Sequence, residues 1–517
     1  MNTQVAEALA LLPDYLGQHV LLSVSAILLG IAISLPLAIL AAGRPSLRGP
    51  LLTFASIVQT IPGLALLALF YPLLLGLSLL TLPALGVAIP ALGFLPALMA
   101  LTLYSMLPVL RNTITALTGT DPALLTAARG VGMTPRQSLL LVELPLASPV
   151  IMAGIRTAAV LVVGTATLST PVGQTSLGNY IFTGLQTENW VFVLFGCMAA
   201  AVLALVLDQL LALAGNGMAR RVPGRIAAAA VGLVLVIGLS LAATISHAPT
   251  RSIVIGAKNF QEQYILADLI QRRLAKAGIA ARVKSDLGSA MAFRALQSGG
   301  VDVYVDYTGT LWGNEMHRSD MPERKAMLDQ LGAWMGRKNG ATLVGTLGFE
   351  NAYVLAMRAD RAAALHIETL DDLAAHAGAL AIGGDFEIFS RPEWRGVAAA
   401  YGFQFARRQQ FQPDFLYRAV ADGTVDVITA FSSDGRIPRY GLKLLADPKG
   451  ALPPYDAVLL MRGNADAKTV AALKPLLGAI SLPRMQAANL QVDRSDNKQT
   501  PAQAAAWLDA AIRKPAP

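Results

Sequence analysis

The sequence predicts an α-helical transmembrane bundle followed by a two-lobed α/β domain. Three observations lead there. The chain has 517 residues, too many for one hydrophobic core, so two or more domains are expected. Residues 1–250 contain no lysine and few charges, mostly arginine, and hold several apolar runs near the ~20 residues a helix needs to cross a bilayer. Residues 251–517 hold every lysine and most of the acids, and there short apolar runs alternate with amphipathic ones.

In the first half, spans are expected near 19–41, 51–77, 84–108, 156–174, 190–213 and 226–246. Pro72, Pro83, Pro90 and Pro96 interrupt the second and third, and Pro62 lies just before that stretch. The arginines orient the bundle. Arg44 and Arg48 follow the first span, Arg111, Arg129 and Arg136 the third, and Arg220, Arg221 and Arg225 the fifth. Placing these loops in the cytoplasm satisfies the positive-inside bias with six spans, and puts the N-terminus and everything after residue 247 outside. The segment from Arg220 to Ala248 also resembles a secretory signal set in mid-chain. No small-x-small cleavage site ends it, so 221–250 reads as a sixth span retained as a tether, after a membrane domain at 1–220.

Beyond Pro249 the periodicity changes. Ser252–Gly256 reads as a buried strand, Gln261–Ala277 as an amphipathic helix and Ala281–Lys284 as a second strand. Ser289 opens a helix that ends at Gly299-Gly300, and Val301–Val305 is a third strand. The alternation continues through Ala352–Met357, Leu370–Ala377, Leu380–Ile382, Val425–Ala430 and Ala457–Met461. Such βαβ units imply parallel sheet. The expected division is one lobe from 251–350 with 455–517 and a second from 351–454, with a ligand cleft between them.

Several chemistries are excluded. The net charge of +8 comes with no basic run interleaved with aromatics, so no nucleic-acid partner is expected. Cys197 is the only cysteine, and the five histidines at 19, 247, 317, 366 and 376 lack metal-ligand spacing. With no nucleophile–base pair in view, neither an enzyme nor a cofactor is indicated.

One segment between the third and fourth spans is more specific. Thr126, Ala127, Ala128, Arg129, Gly130, Val131 and Gly132 lead through Thr134-Pro135 to Val142, Glu143, Leu144 and Pro145. This reads as a helix, a glycine turn and a second helix stopped by proline, within a cytoplasmic loop at 113–147. It resembles the "EAA" coupling loop of ABC importer permeases. Val150–Thr157 extends the likeness toward permeases for glycine betaine, choline and related osmoprotectants. The resemblance implies that Thr126, Ala127, Ala128, Gly132, Leu144 and Pro145 contact an ATPase. The family's usual glutamate is Thr126 here, which leaves Arg129 or Glu143 to supply a charged contact. No Gly-x-x-x-x-Gly-Lys-Ser/Thr loop occurs, so the ATPase is expected as a separate subunit.

The second half resembles periplasmic binding proteins for quaternary-ammonium compounds in its order of motifs: Gly256–Tyr264, Val303–Thr310, Asn351–Tyr353, Phe389–Arg391, Ala430–Asp434 and Pro453–Tyr455. A trimethylammonium group has no N–H donor and is held by aromatic faces, at about 0.5–2 kcal/mol per good contact. The resemblance implies a cage of Tyr307, Tyr353, Phe431 and Tyr455, with phenylalanine at 431 where relatives commonly have tyrosine. It implies that Lys258 and Arg391 hold a carboxylate, assisted by Thr310 and Asn351. Two cations favour a zwitterion over choline: glycine betaine, proline betaine, carnitine or ergothioneine. The expectation is therefore a permease of the ABC importer type, pairing as a homodimer in a bacterial inner membrane, fused to an extracytoplasmic binding domain. An importer for choline or an unrelated solute, and a membrane-anchored sensor without transport, remain as alternatives.

Overall fold

The architecture was obtained from a computed structural model of the 517-residue chain, described here for all residues except 1–2, 86–88, 188, 247–251, 319, 321, 339, 386–387, 412, 495 and 514–517. The expected junction between tether and second domain lies outside the described residues, as does part of the expected third span. Two compact units result: Met1–Phe182 with Val191–Ala248, and Thr183–Trp190 with Pro249–Pro517.

The first unit is helical. Among the described residues, Gln4–Gly43, Phe94–Thr118, Pro135–Val172, Trp190–Ala219 and Pro223–Ser240 are each long and apolar enough to cross a bilayer. The expected second span is instead two helices, Pro45–Thr60 and Gly63–Ser78, which meet at 102°. Pro62 explains the bend. The residue before a proline is pushed out of the helical region, and Ile61 is extended at φ −72° and ψ 126°. The carbonyl of Ile61 is met from another helix by the Tyr104 hydroxyl. Asp208, which its sequence position suggests is a helix-end residue, is instead paired. Arg156 donates from Nε to Oδ1 and from Nη2 to Oδ2, both at 2.8 Å, tying helix Leu144–Ala166 to helix Trp190–Ala219.

The second unit contains two five-stranded sheets. The strands are β1 (Ile253–Lys258), β2 (Ala281–Leu287), β3 (Val303–Tyr307), β4 (Ala341–Glu350), β5 (Tyr353–Arg358), β6 (Ala381–Gly384), β7 (Arg407–Gln410), β8 (Val427–Phe431), β9 (Leu442–Leu444) and β10 (Asp456–Arg462). The first sheet has the order β2-β1-β3-β10-β4 and the second β7-β6-β8-β5-β9. Neither is wholly parallel. β10 runs antiparallel to β3 and β4, and β5 antiparallel to β8 and β9. In each sheet the antiparallel strand next to the parallel set is the one by which the chain has just crossed from the other sheet, β5 after β4 and β10 after β9.

The chain passes from one sheet to the other twice, between β4 and β5 and between β9 and β10. These passages are joined, since the Asn351 amide donates to the Tyr455 carbonyl at 2.9 Å. Between the strands, helices lay an apolar face on the sheets. In helix Gln261–Lys276, Ile265, Leu266, Leu269, Ile270 and Leu274 are all buried.

Candidate functional site

Open α/β sheets gather ligands at the carboxyl ends of their parallel strands. Here Lys258 ends β1, Tyr307 ends β3 and Phe431 ends β8. The antiparallel strands bring their beginnings to the same edges: Tyr353 of β5 pairs with Phe431, and Ala457 of β10, two residues after Tyr455, pairs with Tyr307. The result is a cavity of about 330 Å³ whose lining includes Lys258, Tyr307, Thr310, Asn351, Tyr353, Arg391, Phe431 and Tyr455. All eight residues singled out from sequence therefore share one space.

The rings fall into two groups. Tyr353 lies 4.7 Å from Phe431 and 5.5 Å from Tyr455 between ring centroids, the latter edge to face, so three rings are contiguous. Tyr307 is grouped instead with Phe260, at 6.1 Å. The Tyr455 ring rests on the backbone of Gly309, where a Cβ would fall 2.6 Å from its Cζ. Its hydroxyl donates to Glu393 at 2.5 Å, and burial together with that carboxylate pushes it well above its usual range.

The two cations are placed differently. Lys258 is 1% exposed and its ammonium is paired with Asp306, 5.3 Å over the Tyr307 ring. A ligand carboxylate would meet a charge that Asp306 already balances, so the argument from two cations does not carry over whole. Arg391 stands just before helix Pro392–Tyr401 and donates from Nη1 to the Tyr353 hydroxyl, with its Nε 3.9 Å from Glu393. One guanidinium thus touches the ring cluster and still lines the cavity.

Other lining residues were not singled out from sequence: Phe260, Glu262, Asp434, Arg436, Asn489 and Asp493. Phe260 and Glu262 sit inside the Gly256–Tyr264 motif, which was the available signal. Glu262 is buried and accepts from Tyr307 Oη at 2.5 Å, Asn489 Nδ2 at 3.0 Å and Asn351 Nδ2 at 3.2 Å. Burial raises its carboxyl above the usual range, against the lowering effect of hydrogen bonds from Ser433, Tyr307 and Asn489. Asn489 and Asp493 come from helix Leu482–Asp493, far along the chain, where nothing local marks them. Burial pushes the Asp493 carboxyl up to about 7, opposed by Arg436. Arg436 forks onto Asp434 and lies 4.2 Å over the Tyr417 ring.

Residues 251–510, half of the chain, match the model of the substrate binding domain of ABC-type glycine betaine transport systems. The chain belongs to that family. Residues 34–248 match the binding-protein-dependent transport system inner membrane component, so a permease and a binding domain are fused in one multi-pass membrane protein. Among similar proteins, the ergothioneine transport permease/ergothioneine binding protein EgtU of Helicobacter pylori (strain G27) is 29% identical over 467 residues, covering 86% of this chain and 81% of that one. The choline transport system permease protein OpuBB of Bacillus subtilis (strain 168) is 40% identical, covering 38% of this chain and 83% of its own. The glycine betaine/carnitine/choline transport system permease protein OpuCB of the same strain is 39% identical, again over 38% and 83%.

In the permease half, the segment resembling a coupling loop forms helix Pro122–Gly130, a turn, and helix Pro135–Ser138. Asp121 caps the first through the Ala123 amide, and Thr134 and Gln137 cap the second reciprocally. Thr126 is exposed and its hydroxyl returns to the Pro122 carbonyl at 2.9 Å. Ala128 is buried, and Gly132 turns the chain at φ +82°. Leu144-Pro145 does not stop the second helix as expected. A π-helical turn at Leu139–Glu143 leads directly into helix Leu144–Ala166, with Pro145 in its first turn. Proline removes an N–H and crowds the carbonyl four residues back, and a widened turn accommodates that without ending the helix.

Proposed function

We propose that this chain is the permease and ligand-binding subunit of an ATP-driven importer for a zwitterionic quaternary-ammonium compound. The observation that carries the reading is the contiguous cluster of Tyr353, Phe431 and Tyr455, with Arg391 donating to Tyr353, in the cavity at the strand ends. The rings offer negative faces to a trimethylammonium group that cannot accept or donate a hydrogen bond. Tyr307 closes the cage from the other sheet. Arg391 takes the ligand carboxylate with its planar fork, Thr310 and Asn351 add hydrogen bonds, and Lys258, held by Asp306, contributes the remainder of its field. Candidate ligands are glycine betaine, carnitine and ergothioneine, in keeping with the names of the relatives.

In this reading residues 1–220 form the permease domain, 221–250 the sixth span and tether, and 251–517 a binding domain on the extracytoplasmic face of a bacterial inner membrane. Two copies pair to complete the pore. A separate ATPase docks on the segment containing Thr126, Ala127, Ala128, Gly132, Leu144 and Pro145. The exposed Leu124, Val131, Leu140 and Leu141 beside it give that partner an apolar surface to cover. Closure of the two lobes on ligand and ATP binding at the segment then act on the same pore.

The test is calorimetric titration of the full chain in lipid nanodiscs with glycine betaine, carnitine, ergothioneine and choline. At least one zwitterion is expected to bind more tightly than choline, with binding lost in Tyr353→Ala and the preference for the carboxylate lost in Arg391→Ala. Tight binding of a solute without a quaternary nitrogen, undiminished in Tyr353→Ala, would overturn the cage. Equal affinity for choline would remove the role given to Arg391.

A further inference from the structure

Helix Leu482–Asp493 links the two sheets by a route separate from the two passages of the chain. It packs against β4 and against helices Gln261–Lys276 and Pro501–Ile512, on the side of the first sheet. Its other side meets the segment that follows β8 of the second sheet. Gln486 Nε2 donates to the Ser432 carbonyl and Asn489 Nδ2 to the Ser433 carbonyl, both at 2.8 Å, and Arg439 Nη1 donates to the Asp493 carbonyl. Gly435 lies directly on the helix, where a Cβ would fall 2.3 Å from the Leu490 amide nitrogen and 2.6 Å from its Cα. Gln486, Gly435 and Arg439 stand outside the cavity lining, so these contacts serve the joint between the sheets.

The joint ends in a buried charge cluster. Arg436 faces two carboxylates: Asp434, onto which it forks, and Asp493, the last residue of the helix. One guanidinium cannot balance two buried carboxylates, and a helix C-terminus disfavours negative charge, so Asp493 is the place for a proton. Burial pushes its carboxyl up to about 7, with Arg436 opposing and Asp434 adding to the rise. Gln261 and Lys498 also face Asp493, Arg439 meets its carbonyl, and Glu262 lies beyond Asp434.

We propose that helix Leu482–Asp493 is a strap that holds the two lobes together over the cavity, fastened when Asp493 is protonated and loosened when it is charged. The strap rests on the reading of the cavity as a ligand site that opens and closes, and on no particular ligand. Parting the lobes breaks the contacts of Gln486, Asn489 and Arg439 and lets water reach Asp493, whose pKa then falls toward the ordinary 3.8. The carboxyl therefore holds its proton more tightly in the strapped state, and that state loses ground as pH rises. With 7 and 3.8 as limits, the ratio of parted to strapped molecules rises about tenfold between pH 6 and pH 8. Ligand is then held more firmly in acid and released more freely in alkali.

The test reads the separation of the lobes directly. Spin labels at Lys325→Cys, on a helix packed against β4, and at Arg407→Cys, on β7, report it in the full chain in nanodiscs without ligand. Both sites are exposed, and Cys197→Ser removes the native thiol. The expected result is a longer-distance population that grows by about three- to tenfold, relative to the shorter one, from pH 6 to pH 8. Asp493→Asn, which keeps the uncharged form, should abolish that growth and retain the shorter distance. Gln486→Ala should raise the longer-distance population about threefold or more at both pH values, having lost one hydrogen bond of the strap. A ratio that does not move with pH in the unsubstituted chain, or the same movement in Asp493→Asn, would overturn the role of the proton. An unchanged ratio in Gln486→Ala would overturn the strap. The unsubstituted chain and Gln486→Ala decide the matter even if Asp493→Asn fails to fold. Failure of every quaternary-ammonium compound to bind would remove the cage, while these distances, read without ligand, still judge the strap.

Discussion

Gly309 offers a direct probe of the ring cluster, because its effect on the ligand must pass through Tyr455. A Cβ at this position would lie 2.6, 2.7 and 2.8 Å from Tyr455 Cζ, Cε1 and Cε2, whereas ordinary contact begins at 3.4 Å. In Gly309→Ala the ring must therefore retreat by about 0.8 Å, the difference between 3.4 and 2.6 Å. Its hydroxyl now sits 2.5 Å from Glu393 Oε1, and a shift of that size away from the acceptor would stretch the bond toward the limit of a hydrogen bond. Overpacking of this kind costs about 1–3 kcal/mol of stability. Displacing one wall of the cage forfeits up to one ring's share of binding, about 0.5–2 kcal/mol, which is roughly 2–30-fold in Kd. Calorimetry on the full chain, with thermal unfolding alongside, reads both effects. Since the alanine acts only through the ring, Gly309→Ala/Tyr455→Ala should bind no more weakly than Tyr455→Ala alone. An unchanged Kd and melting temperature in Gly309→Ala, or additive losses in the double variant, would refute the reasoning.

Three further predictions concern the rest of the molecule. Asp493 has a folded-state pKa of about 7 against 3.8 for the ordinary group, so the folded protein holds this proton more tightly than the unfolded chain. Its contribution to stability is then fully present below about pH 4 and lost as pH rises toward 7, with Arg436, Asp434, Gln261 and Lys498 as the neighbours that face it. Asp493→Asn should flatten that part of the stability profile in chemical unfolding, and an identical profile would contradict the assignment. In the permease, Asp208→Ala strands the Arg156 guanidinium, at a cost of about 2.5–3.5 kcal/mol if it faces lipid. The melting temperature in nanodiscs should fall, and the exchanged pair Arg156→Asp/Asp208→Arg should recover part of the loss. Gly132→Val places a β-branched residue at φ +82°, a left-handed conformation that costs about 1–2 kcal/mol. Ligand-stimulated ATP hydrolysis with the partner subunit should drop while ligand Kd stays the same. A parallel loss of ligand binding would show that this turn serves folding and not coupling.

The helices of the first half were legible because composition alone decides whether a run of twenty residues tolerates hydrocarbon. Five long apolar helices answer to expected spans near 19–41, 84–108, 156–174, 190–213 and 226–246. The 102° break at Ile61-Pro62 is not legible from Pro62 alone, because proline is tolerated in membrane helices and only the neighbouring Tyr104 shows how the Ile61 carbonyl is met. In the second half, β1, β3, β5, β8 and β10 were visible as apolar runs. β4 was not, since Gly345 and Gly348 at φ +157° and +107° interrupt the alternation that marks a strand, and β7 and β9 are too short to show it.

The cavity residues divide in the same way. Tyr307, Tyr353, Phe431 and Tyr455 are local features of strand ends, and a strand ends where its sequence says so. That they meet depends on β5 and β10 running antiparallel, which brings the starts of two strands to the ends of two others. The charges depend on partners that sequence separation hides. Lys258 reads from its motif as a donor to ligand, and only the fold sets Asp306, forty-eight residues away, beside its ammonium. Asn489 lies 227 residues from Glu262 yet donates to its carboxylate, and no local pattern carries that pairing. By itself the sequence determined which segments suit lipid, which suit water and which ring types stand ready for a quaternary nitrogen, because these follow from composition and short-range periodicity. Only the tertiary structure decided which charges are already balanced and which helix bridges the two sheets, because burial and pairing are properties of neighbours in space.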